Sequence, residues 1–254
     1  MFSHAIVRPP APSLEKGITS SPELGQPIYQ RALEQHQSYV AALEHCGVTV
    51  TQLDPAPDFP DACFIEDVAV CTPEFALITA PGAPSRQGEE EGMTDVLGEF
   101  YKTRIPIQGT GTLEGGDVMM VGDHYYIGLS HRTNQEGASQ FIRALEEHGM
   151  GGSMVPMAEM LHLKTGLSYL EDNILLTAGE FTGMEIFSQF NCIPVPDHEA
   201  YAANCIRVND QVIVPAGFDE TRAAIQGAGL STIEVDTSEF RKLDGGLSCL
   251  SLRF

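Results

Sequence analysis

Short apolar runs recur along the chain in pairs, and each pair is joined by a polar turn and followed by a glycine and a helical pattern. The clearest copy predicts strands at 118–121 and 125–127, joined by a Gly-Asp turn. Short apolar runs bounded by turn residues are typical of β-hairpins. A helix is predicted at about 134–148, because its apolar residues fall on one face and Gly149 provides a C-terminal stop.

Three further copies follow the same order, at a spacing of about 40–50 residues that is typical of propeller and solenoid folds. Their strand pairs are predicted at 68–71 with 75–79, 167–170 with 174–176, and 205–208 with 212–214. Helices are predicted at about 88–101 and 219–227, whereas the copy that begins at 167 has only a short, poorly defined helix. A third strand completes each unit, for example at 48–53, 104–107, 153–157 and 232–235.

The two ends of the chain supply a fifth unit. A strand at 4–7 and a strong helical pattern at about 26–45 begin the chain, and an apolar strand that carries Cys249 ends it. Pairing of these terminal strands closes a ring and leaves no free sheet edge. We therefore predict an α/β fold, a five-bladed, pseudo-fivefold propeller of ββαβ units. Residues 1–254 are expected to form a single domain whose fifth blade is shared between the N- and C-terminal segments. The pattern alone leaves open a generic α+β domain with irregular hairpins.

Charge and composition exclude several classes of partner. With 35 acidic and 14 basic residues the net charge is −21, whereas nucleic acids and anionic membranes require a basic surface. A cationic ligand is favoured instead. There is no run of 18 apolar residues and no N-terminal signal pattern, so we expect no transmembrane helix, no signal peptide and a cytoplasmic location. The six scattered cysteines form no CxxC pair, which favours reduced thiols and makes one of them a candidate nucleophile.

Candidate chemistry is concentrated at strand ends. Cys249 follows Gly245 and Gly246 in the terminal strand, and the alternative interpretation is a buried, inert cysteine. Glu114 lies among glycines at the entry to the clearest hairpin, where the alternative is a tight bend. His162 lies in an apolar strand, where the alternative is a hydrogen-bonded core histidine.

The most anomalous stretch carries two adjacent acids, Glu66 and Asp67, in an otherwise apolar run. One of two adjacent strand residues points inward, and a buried carboxylate needs a partner; the alternative is a strand-end turn with both acids facing water. Equivalent strand positions of a ring meet at its axis, so these stretches predict one acidic channel with a cysteine, a histidine and several carboxylates. Such a set suggests thiol chemistry on a cationic substrate. No two histidines have the spacing of a metal site, so no metal is expected.

At these residues the chain resembles the dimethylarginine dimethylaminohydrolase family of the guanidino-modifying pentein superfamily. The matching stretches are F-I-E-D at 64–67, G-T-L-E-G-G-D at 111–117, L-H-L-K-T-G at 161–166, Y-A-A-N-C at 201–205 and D-G-G-L-S-C at 244–249. The resemblance implies the five-bladed fold and hydrolysis of N-omega-methylated arginine to citrulline and dimethylamine or methylamine, through a covalent thiouronium on cysteine. It implies that Cys249 is the nucleophile, His162 the general acid and base, and Glu114 the carboxylate that completes the triad.

The resemblance also implies a set of substrate contacts, which are Ile18, Asp61, Glu66, Asp67, Arg86, Arg132, Leu243, Asp244 and Gly246. Ile18 is expected to bind through its backbone. Arg86 and Arg132 are expected to hold the α-carboxylate of the substrate, because arginine offers a planar bidentate fork. Asp61 is expected near the α-amine, and Asp67 with Glu114 around the guanidinium.

No cofactor is implied, and the expected partner is a small cationic substrate, methylated arginine, with a homodimer left open. One alternative is an arginine deiminase-like hydrolase of another guanidino substrate, although related deiminases and amidinotransferases are longer than this chain. A second alternative is a catalytically silent binding protein for cationic amino acids. The intact set of Cys249, His162 and Glu114 argues against that alternative.

Overall fold

The computed structural model describes all residues, 1–254, and they form two compact units. The terminal unit consists of residues 1–65 and 195–254, and the middle unit consists of residues 66–194. No helix combines the length and the apolar character that a membrane span requires.

Fifteen short strands, numbered in chain order, form five sheets of three strands each. The strands are β1 His4–Val7, β2 Thr49–Gln52, β3 Ala69–Cys71, β4 Ala76–Ile78, β5 Arg104–Pro106, β6 Val118–Val121, β7 His124–Leu129, β8 Gly151–Pro156, β9 Leu167–Tyr169, β10 Ile174–Thr177, β11 Asn191–Pro194, β12 Ile206–Val208, β13 Gln211–Pro215, β14 Ser231–Val235 and β15 Leu252–Arg253. The helices are α1 Tyr29–His45, α2 Met93–Gly98, α3 Gln135–Glu147, α4 Leu163–Gly166, α5 Asp219–Gly227 and α6 Ser238–Arg241.

Every sheet has the same topology, in which the middle strand pairs antiparallel with one neighbour and parallel with the other. The sheets of the middle unit are β3-β4-β5, β6-β7-β8 and β9-β10-β11. Those of the terminal unit are β12-β13-β14 and β15-β1-β2. In the last sheet β15 pairs antiparallel with β1, with Ala5 opposite Arg253, and β1 pairs parallel with β2. The predicted repeat of an antiparallel strand pair followed by a parallel strand is therefore present in all five sheets.

The helix α3 shows how the sequence sets the ends and the buried face of such an element. Asn134 precedes its first turn and its side chain accepts a hydrogen bond from the Gly137 N–H, which satisfies one of the free donors of the helix start. Phe141 and Leu145 lie four residues apart on the buried face. Gly149 follows the helix with φ of 77°, a left-handed conformation that glycine adopts without strain.

The predicted helix at 88–101 is shorter in the structure, where α2 begins at Met93. Gly88 and Gly92 both have positive φ, 98° and 82°, and a residue in that region cannot continue a right-handed helix. In the repeat that begins at 167, short 3₁₀ turns at Gly179–Phe181 and Glu185–Phe187 take the place of a helix.

Each unit has its own apolar core. In the terminal unit the rings of Phe64 and Phe240 meet edge to face, with centroids 6.2 Å apart, and both are buried. In the middle unit Phe141 packs edge to face against both Phe75 and Tyr125. These aromatic contacts stabilise the packing within each unit.

Candidate active site

A tight helical turn leads into the first strand of each sheet. These turns are Ile65–Val68 before β3, Gly115–Asp117 before β6, α4 before β9, Asp197–Ala203 before β12 and Ser248–Leu250 before β15. The candidate residues Glu66, Asp67, Glu114, His162 and Cys249 lie on these turns or cap them. The expectation that the cysteine, the histidine and the acidic pair lie within strands is wrong. A single helical turn is too short to show a helical period, so its apolar residues extend the run of the following strand in the sequence pattern.

In the terminal unit, Cys249 is buried on the turn before β15, with 9% of its surface exposed. The Gly246 N–H donates to its Sγ across 3.4 Å. Asn204 Nδ2 lies 3.9 Å from the same sulfur, and Ser248 Oγ lies 4.0 Å from it. The thiol therefore has polar hydrogen-bonding groups beside it in addition to the apolar neighbours of its core cluster, whereas an inert structural cysteine has apolar surroundings alone.

The paired glycines of the terminal segment are required by close packing. A Cβ at Gly245 would lie 2.2 Å from the ring of Phe64, and one at Gly246 would lie 2.4 Å from Asn204 Cγ. Both distances are far below van der Waals contact, so only glycine fits there. Tyr201 fixes the same turn, because its hydroxyl donates to the Gly245 carbonyl across 2.8 Å. Burial raises the pKa of Tyr201, which keeps that hydroxyl protonated.

Two carboxylates of the terminal unit hold the segment around Ile18. Asp61 accepts from the Ile18 N–H at 3.1 Å. Asp244 accepts from the Ser20 N–H at 2.5 Å and from the Ser20 hydroxyl at 2.9 Å. A Cβ on the glycine before Ile18 would lie 2.7 Å from Leu243 Cδ1. The structure therefore brings Ile18, Asp61, Leu243 and Asp244, all predicted substrate contacts, into one local group.

In the middle unit, His162 Nε2 lies 2.7 Å from Glu114 Oε2, and both side chains are buried. Burial alone lowers the pKa of a histidine, but the charges of Asp67 and Asp117 and the bonded glutamate raise the pKa of His162 to about 9. Burial alone raises the pKa of a carboxyl, but the bond to the histidine and the charges of two arginines lower the pKa of Glu114 to about 2. At neutral pH the pair is an imidazolium and a carboxylate.

The Glu114 carboxylate is fixed by donors on several sides. Its Oε1 accepts from the backbone N–H groups of Gly82 and Ala83, at 3.0 and 3.3 Å. Arg132 Nη1 lies 3.3 Å from both of its oxygens. These bonds satisfy a carboxylate with no exposed surface, and they orient the oxygen that faces His162.

Asp67 lies between the histidine and a buried arginine. Its Oδ1 accepts from the Gly116 N–H at 2.9 Å and lies 4.0 Å from His162 Nε2. Its Oδ2 accepts from Arg86 Nη1 at 2.5 Å. Arg86 also donates to Glu89, with Nη2 to Oε2 at 2.7 Å, and is 4% exposed. In this structure Arg86 is thus held by two carboxylates.

Glu66, the other member of the acidic pair, is held by a lysine of the short helix α4. Lys164 Nζ lies 2.6 Å from Glu66 Oε1. Glu66 and Asp67 are 4% and 2% exposed, so the alternative in which both acids of a turn face water is excluded. The turn is present, but its carboxylates point to cationic partners inside the unit.

Asp67, Glu114 and His162 offer ligand atoms that lie within 4.8 Å of one another. A histidine binds a metal ion only as the neutral imidazole. The pKa of His162, at about 9, makes its ring a doubly protonated imidazolium at neutral pH. Each carboxylate also faces an arginine. The group is therefore better suited to hold and transfer a proton than to bind a metal ion.

The predicted site residues are divided between the units. The terminal unit carries Ile18, Asp61, Leu243, Asp244, Gly246 and Cys249, and the middle unit carries Glu66, Asp67, Arg86, Glu114, Arg132 and His162. Within each unit these residues are joined by the hydrogen bonds and packing contacts described above.

Known proteins resemble the chain over its whole length. Residues 19–175 match the family model described as N,N dimethylarginine dimethylhydrolase, eukaryotic. The N(G),N(G)-dimethylarginine dimethylaminohydrolase of Pseudomonas aeruginosa is 55% identical over 255 aligned positions, which cover 100% of both chains. The chain belongs to the dimethylarginine dimethylaminohydrolase family.

Two solved structures of this family each match with a TM-score of 0.98 and 55% identity, over 100% of both chains. One is the C249S variant of the Pseudomonas aeruginosa enzyme complexed with citrulline. The other is an H162G dimethylarginine dimethylaminohydrolase adduct with S-methyl-L-thiocitrulline. Together with five sheets of identical topology, these matches confirm the predicted fold class, the five-bladed α/β propeller of ββαβ units.

Two buried residues beside the candidate catalytic groups were not assigned a role from the sequence. Asp117 accepts from the Thr133 hydroxyl at 2.7 Å and from the Leu163 N–H at 2.9 Å, which holds the start of α4. Asn204 lies against the sulfur of Cys249. Both lie in the stretches that resemble the family, and that resemblance was the one available signal, because hydrogen bonds between residues far apart in the chain leave no local pattern.

Proposed function

We propose that this chain hydrolyses N-omega-methylated arginine, either asymmetric dimethylarginine or monomethylarginine, to citrulline and dimethylamine or methylamine. The observation that carries this proposal is 55% identity over the full length to the Pseudomonas aeruginosa dimethylarginine dimethylaminohydrolase. The substitutions in the two matched structures, C249S and H162G, have the numbers at which this chain carries its own Cys249 and His162. The citrulline and thiocitrulline ligands of those proteins support an arginine-like substrate here.

Cys249 is the proposed nucleophile. A free thiol has a pKa of about 8.5, so only a few per cent is thiolate at pH 7. The donors that face its sulfur favour the thiolate, because they bond the charged form more strongly. The thiolate attacks the guanidinium carbon and forms a C–S bond. The bond from that carbon to the methylated nitrogen then breaks, which leaves a thiouronium on Cys249.

His162 is the proposed general acid and base. Because its pKa is about 9, it carries a proton at neutral pH, and this proton passes to the leaving nitrogen so that a neutral amine departs. The neutral imidazole then takes a proton from water as the water oxygen attacks the thiouronium carbon. The C–S bond breaks and its electron pair returns to the sulfur, while the hydroxyl proton of the tetrahedral intermediate passes to solvent, so that citrulline is released with a carbonyl oxygen. Glu114 stabilises the imidazolium at both stages.

The substrate contacts remain those expected from the family. Taking a guanidinium out of water costs several kcal/mol unless the cation is paired, which gives Asp67 and Glu114 their proposed role. Arg86 and Arg132 are proposed for the α-carboxylate and Asp61 for the α-amine. The further proposed contacts are Ile18, Glu66, Leu243, Asp244 and Gly246.

In this proposal residues 1–254 act as a single catalytic domain to which both units contribute. A cytoplasmic location is also proposed, and it is supported by six cysteines that are all in the thiol form, since disulfides are rare in reducing compartments. A homodimer is the proposed assembly, and light scattering after size-exclusion chromatography measures it directly.

Steady-state citrulline production by the purified chain tests the proposed reaction. Asymmetric dimethylarginine, monomethylarginine and arginine are compared as substrates, and we expect turnover of the two methylated substrates to exceed that of arginine. Turnover of arginine alone would instead support a deiminase-like hydrolase, and absence of citrulline from all three would support a silent binding protein.

Two substitutions test the assigned roles. Cys249→Ser is expected to abolish measurable turnover, and His162→Ala to reduce it by about 10²–10⁴-fold, the range that general acid–base assistance contributes. Cys192→Ser is the matched control, because Cys192 is exposed and has no role in the proposal. Substantial citrulline production by Cys249→Ser, with the control fully active, would contradict the assignment of the nucleophile.

A further inference from the structure

We propose that Asn204 is a catalytic residue that donates a hydrogen bond to the thiolate of Cys249. The inference rests on the proposed function, in which Cys249 is the nucleophile. Asn204 Nδ2 lies 3.9 Å from Cys249 Sγ, and the two residues are 6% and 9% exposed. With so little solvent around the sulfur, the charge of a thiolate has to be stabilised by protein donors.

The orientation of the Asn204 amide follows from its second contact. The Ser248 N–H donates to Asn204 Oδ1 across 2.9 Å. A backbone N–H is only a donor, so the oxygen of the amide has to face it. The amide nitrogen, which is also only a donor, therefore has to face the sulfur. A rotation of the amide that exchanged the two atoms would break the bond to Ser248 and set an oxygen lone pair against the thiolate.

Asn204 and at least two other groups beside the sulfur can donate to a thiolate. The Gly246 N–H lies at 3.4 Å and the Ser248 hydroxyl at 4.0 Å from Cys249 Sγ. The amide also fits closely against Gly246, where an added Cβ would lie 2.4 Å from Asn204 Cγ. The amide is thus held by packing on one side and by Ser248 on the other, and it meets the developing charge without rearrangement.

This arrangement has a chemical consequence that a purely structural asparagine lacks. A donor that bonds the charged form of a group lowers the pKa of a thiol. The same donor also stabilises the thiolate that leaves when the C–S bond breaks in the second half of the reaction. Asn204 is therefore expected to assist both the attack by Cys249 and its release.

The pH dependence of Cys249 alkylation by iodoacetamide tests the proposal. Trypsin releases the segment 243–253, in which Cys249 is the only cysteine, so mass spectrometry follows this thiol alone. Asn204→Asp keeps an oxygen for the Ser248 N–H but lacks the amide donor, and Asn204→Ala removes both contacts. In both variants we expect the pKa of Cys249 to rise by about one unit and alkylation at pH 7 to fall about tenfold. We also expect kcat/KM to recover as the pH is raised.

Asn134→Asp is the control for the added charge. Asn134 caps α3 in the middle unit, and aspartate caps a helix equally well, so the pKa of Cys249 should not change. An unchanged pKa in Asn204→Asp would overturn the proposal even if turnover fell, because it would assign Asn204 a packing role only. If Asn204→Ala does not fold, as circular dichroism would show, Asn204→Leu decides the question, because leucine keeps the volume of the amide but brings neither its donor nor a charge. Failure of the proposed function is distinguishable, since the unsubstituted chain would then form no citrulline.

Discussion

At the scale of single residues, the middle unit shows burial and charge acting in opposite directions on one side chain. Burial favours a neutral imidazole, yet the pKa of His162 lies at about 9 because acidic neighbours outweigh that cost. Burial also favours a neutral carboxyl, yet the pKa of Glu114 lies at about 2. Asp67, Asp117 and Glu114 together raise the pKa of His162, and His162 with two arginines lowers that of Glu114, so the pair is an imidazolium and a carboxylate at neutral pH.

Replacing Glu114 by glutamine should lower the pKa of His162 from about 9 towards the ordinary value of about 6.5. The substitution keeps the shape of the side chain but removes the nearest negative charge. NMR titration of the imidazole measures the change, and the resonance is assigned by its absence in His162→Ala. The exposed Glu136→Gln on α3 should leave the titration as it is.

The stability of the folded protein should report the same pair. The raised pKa of His162 stabilises the fold below about pH 6.5, and this contribution is lost as the pH rises through about 9. The lowered pKa of Glu114 stabilises the fold above about pH 4.5, and its contribution is lost as the pH falls through about 2. The difference in free energy of unfolding between the unsubstituted chain and Glu114→Gln should therefore be largest between about pH 4.5 and 6.5, where both contributions are fully present. An equal difference at pH 6 and pH 10 would contradict the coupling.

At the scale of elements, the sequence predicted the hairpin strands well and the turns before them poorly. The strands β6 and β7 are recognisable because apolar runs flank a Gly-Asp turn. The turn that carries Cys249 and the cap formed by His162 were assigned to strands, because one helical turn has no detectable period. The strand β11 has only two central apolar residues between Asn191 and Pro194, and it forms through its parallel pairing with β10, which a local pattern does not reveal.

The candidate site could be predicted only in part from the sequence. Glu66, Asp67, Glu114 and His162 stand out in the sequence as polar residues in apolar or glycine-rich runs. Their partners do not, since Arg86 and Lys164 reach acids 19 and 98 residues away in the chain. The outer contacts therefore came from family resemblance, and the pairing within each unit came from the structure.

The loop before His162 is held by one carboxylate, which gives a prediction for Glu180. Its oxygens accept from the backbone N–H groups of Ala158, Glu159 and Met160, at 2.8, 3.0 and 2.8 Å. Although burial acts in the opposite direction, these three donors lower the pKa of Glu180. In Glu180→Gln one acceptor oxygen is replaced by an amide NH2 group, which only donates, so hydrogen exchange at residues 158–160 should accelerate at least several-fold.

Turnover should fall together with this loss of protection, because the loop leads directly to His162. Hydrogen-exchange mass spectrometry and the citrulline assay measure the two effects. Glu185→Gln is the matched control, since Glu185 is exposed on the neighbouring turn Glu185–Phe187. Unchanged exchange at 158–160 in Glu180→Gln would show that the carboxylate does not hold the loop.

At the scale of the whole molecule, the repeat was visible because each of its copies carries its own hairpin pattern. The fold has five similar sheets, and the turn before each sheet carries or is capped by a predicted site residue or, in the case of Asp197–Ala203, by Asn204. The pattern of apolar residues predicts the sheets, but it does not show which turn carries a thiol, an imidazole or a carboxylate. The apolar pattern does not reveal how these groups are distributed among the turns, and assigning them required the match to a relative over the full length.

The net charge of −21 should attract a cationic substrate over distances longer than a hydrogen bond. Because the Debye length falls from about 30 Å at 0.01 M salt to about 10 Å at 0.1 M, we expect kcat/KM for dimethylarginine to fall several-fold over this range of NaCl while kcat changes little. Citrulline, which has no net charge, is the matched probe, and its inhibition constant should stay constant with salt. Equal salt dependence of both ligands would indicate an effect of salt on the protein itself, and no dependence for either would show that the global charge does not contribute to substrate capture.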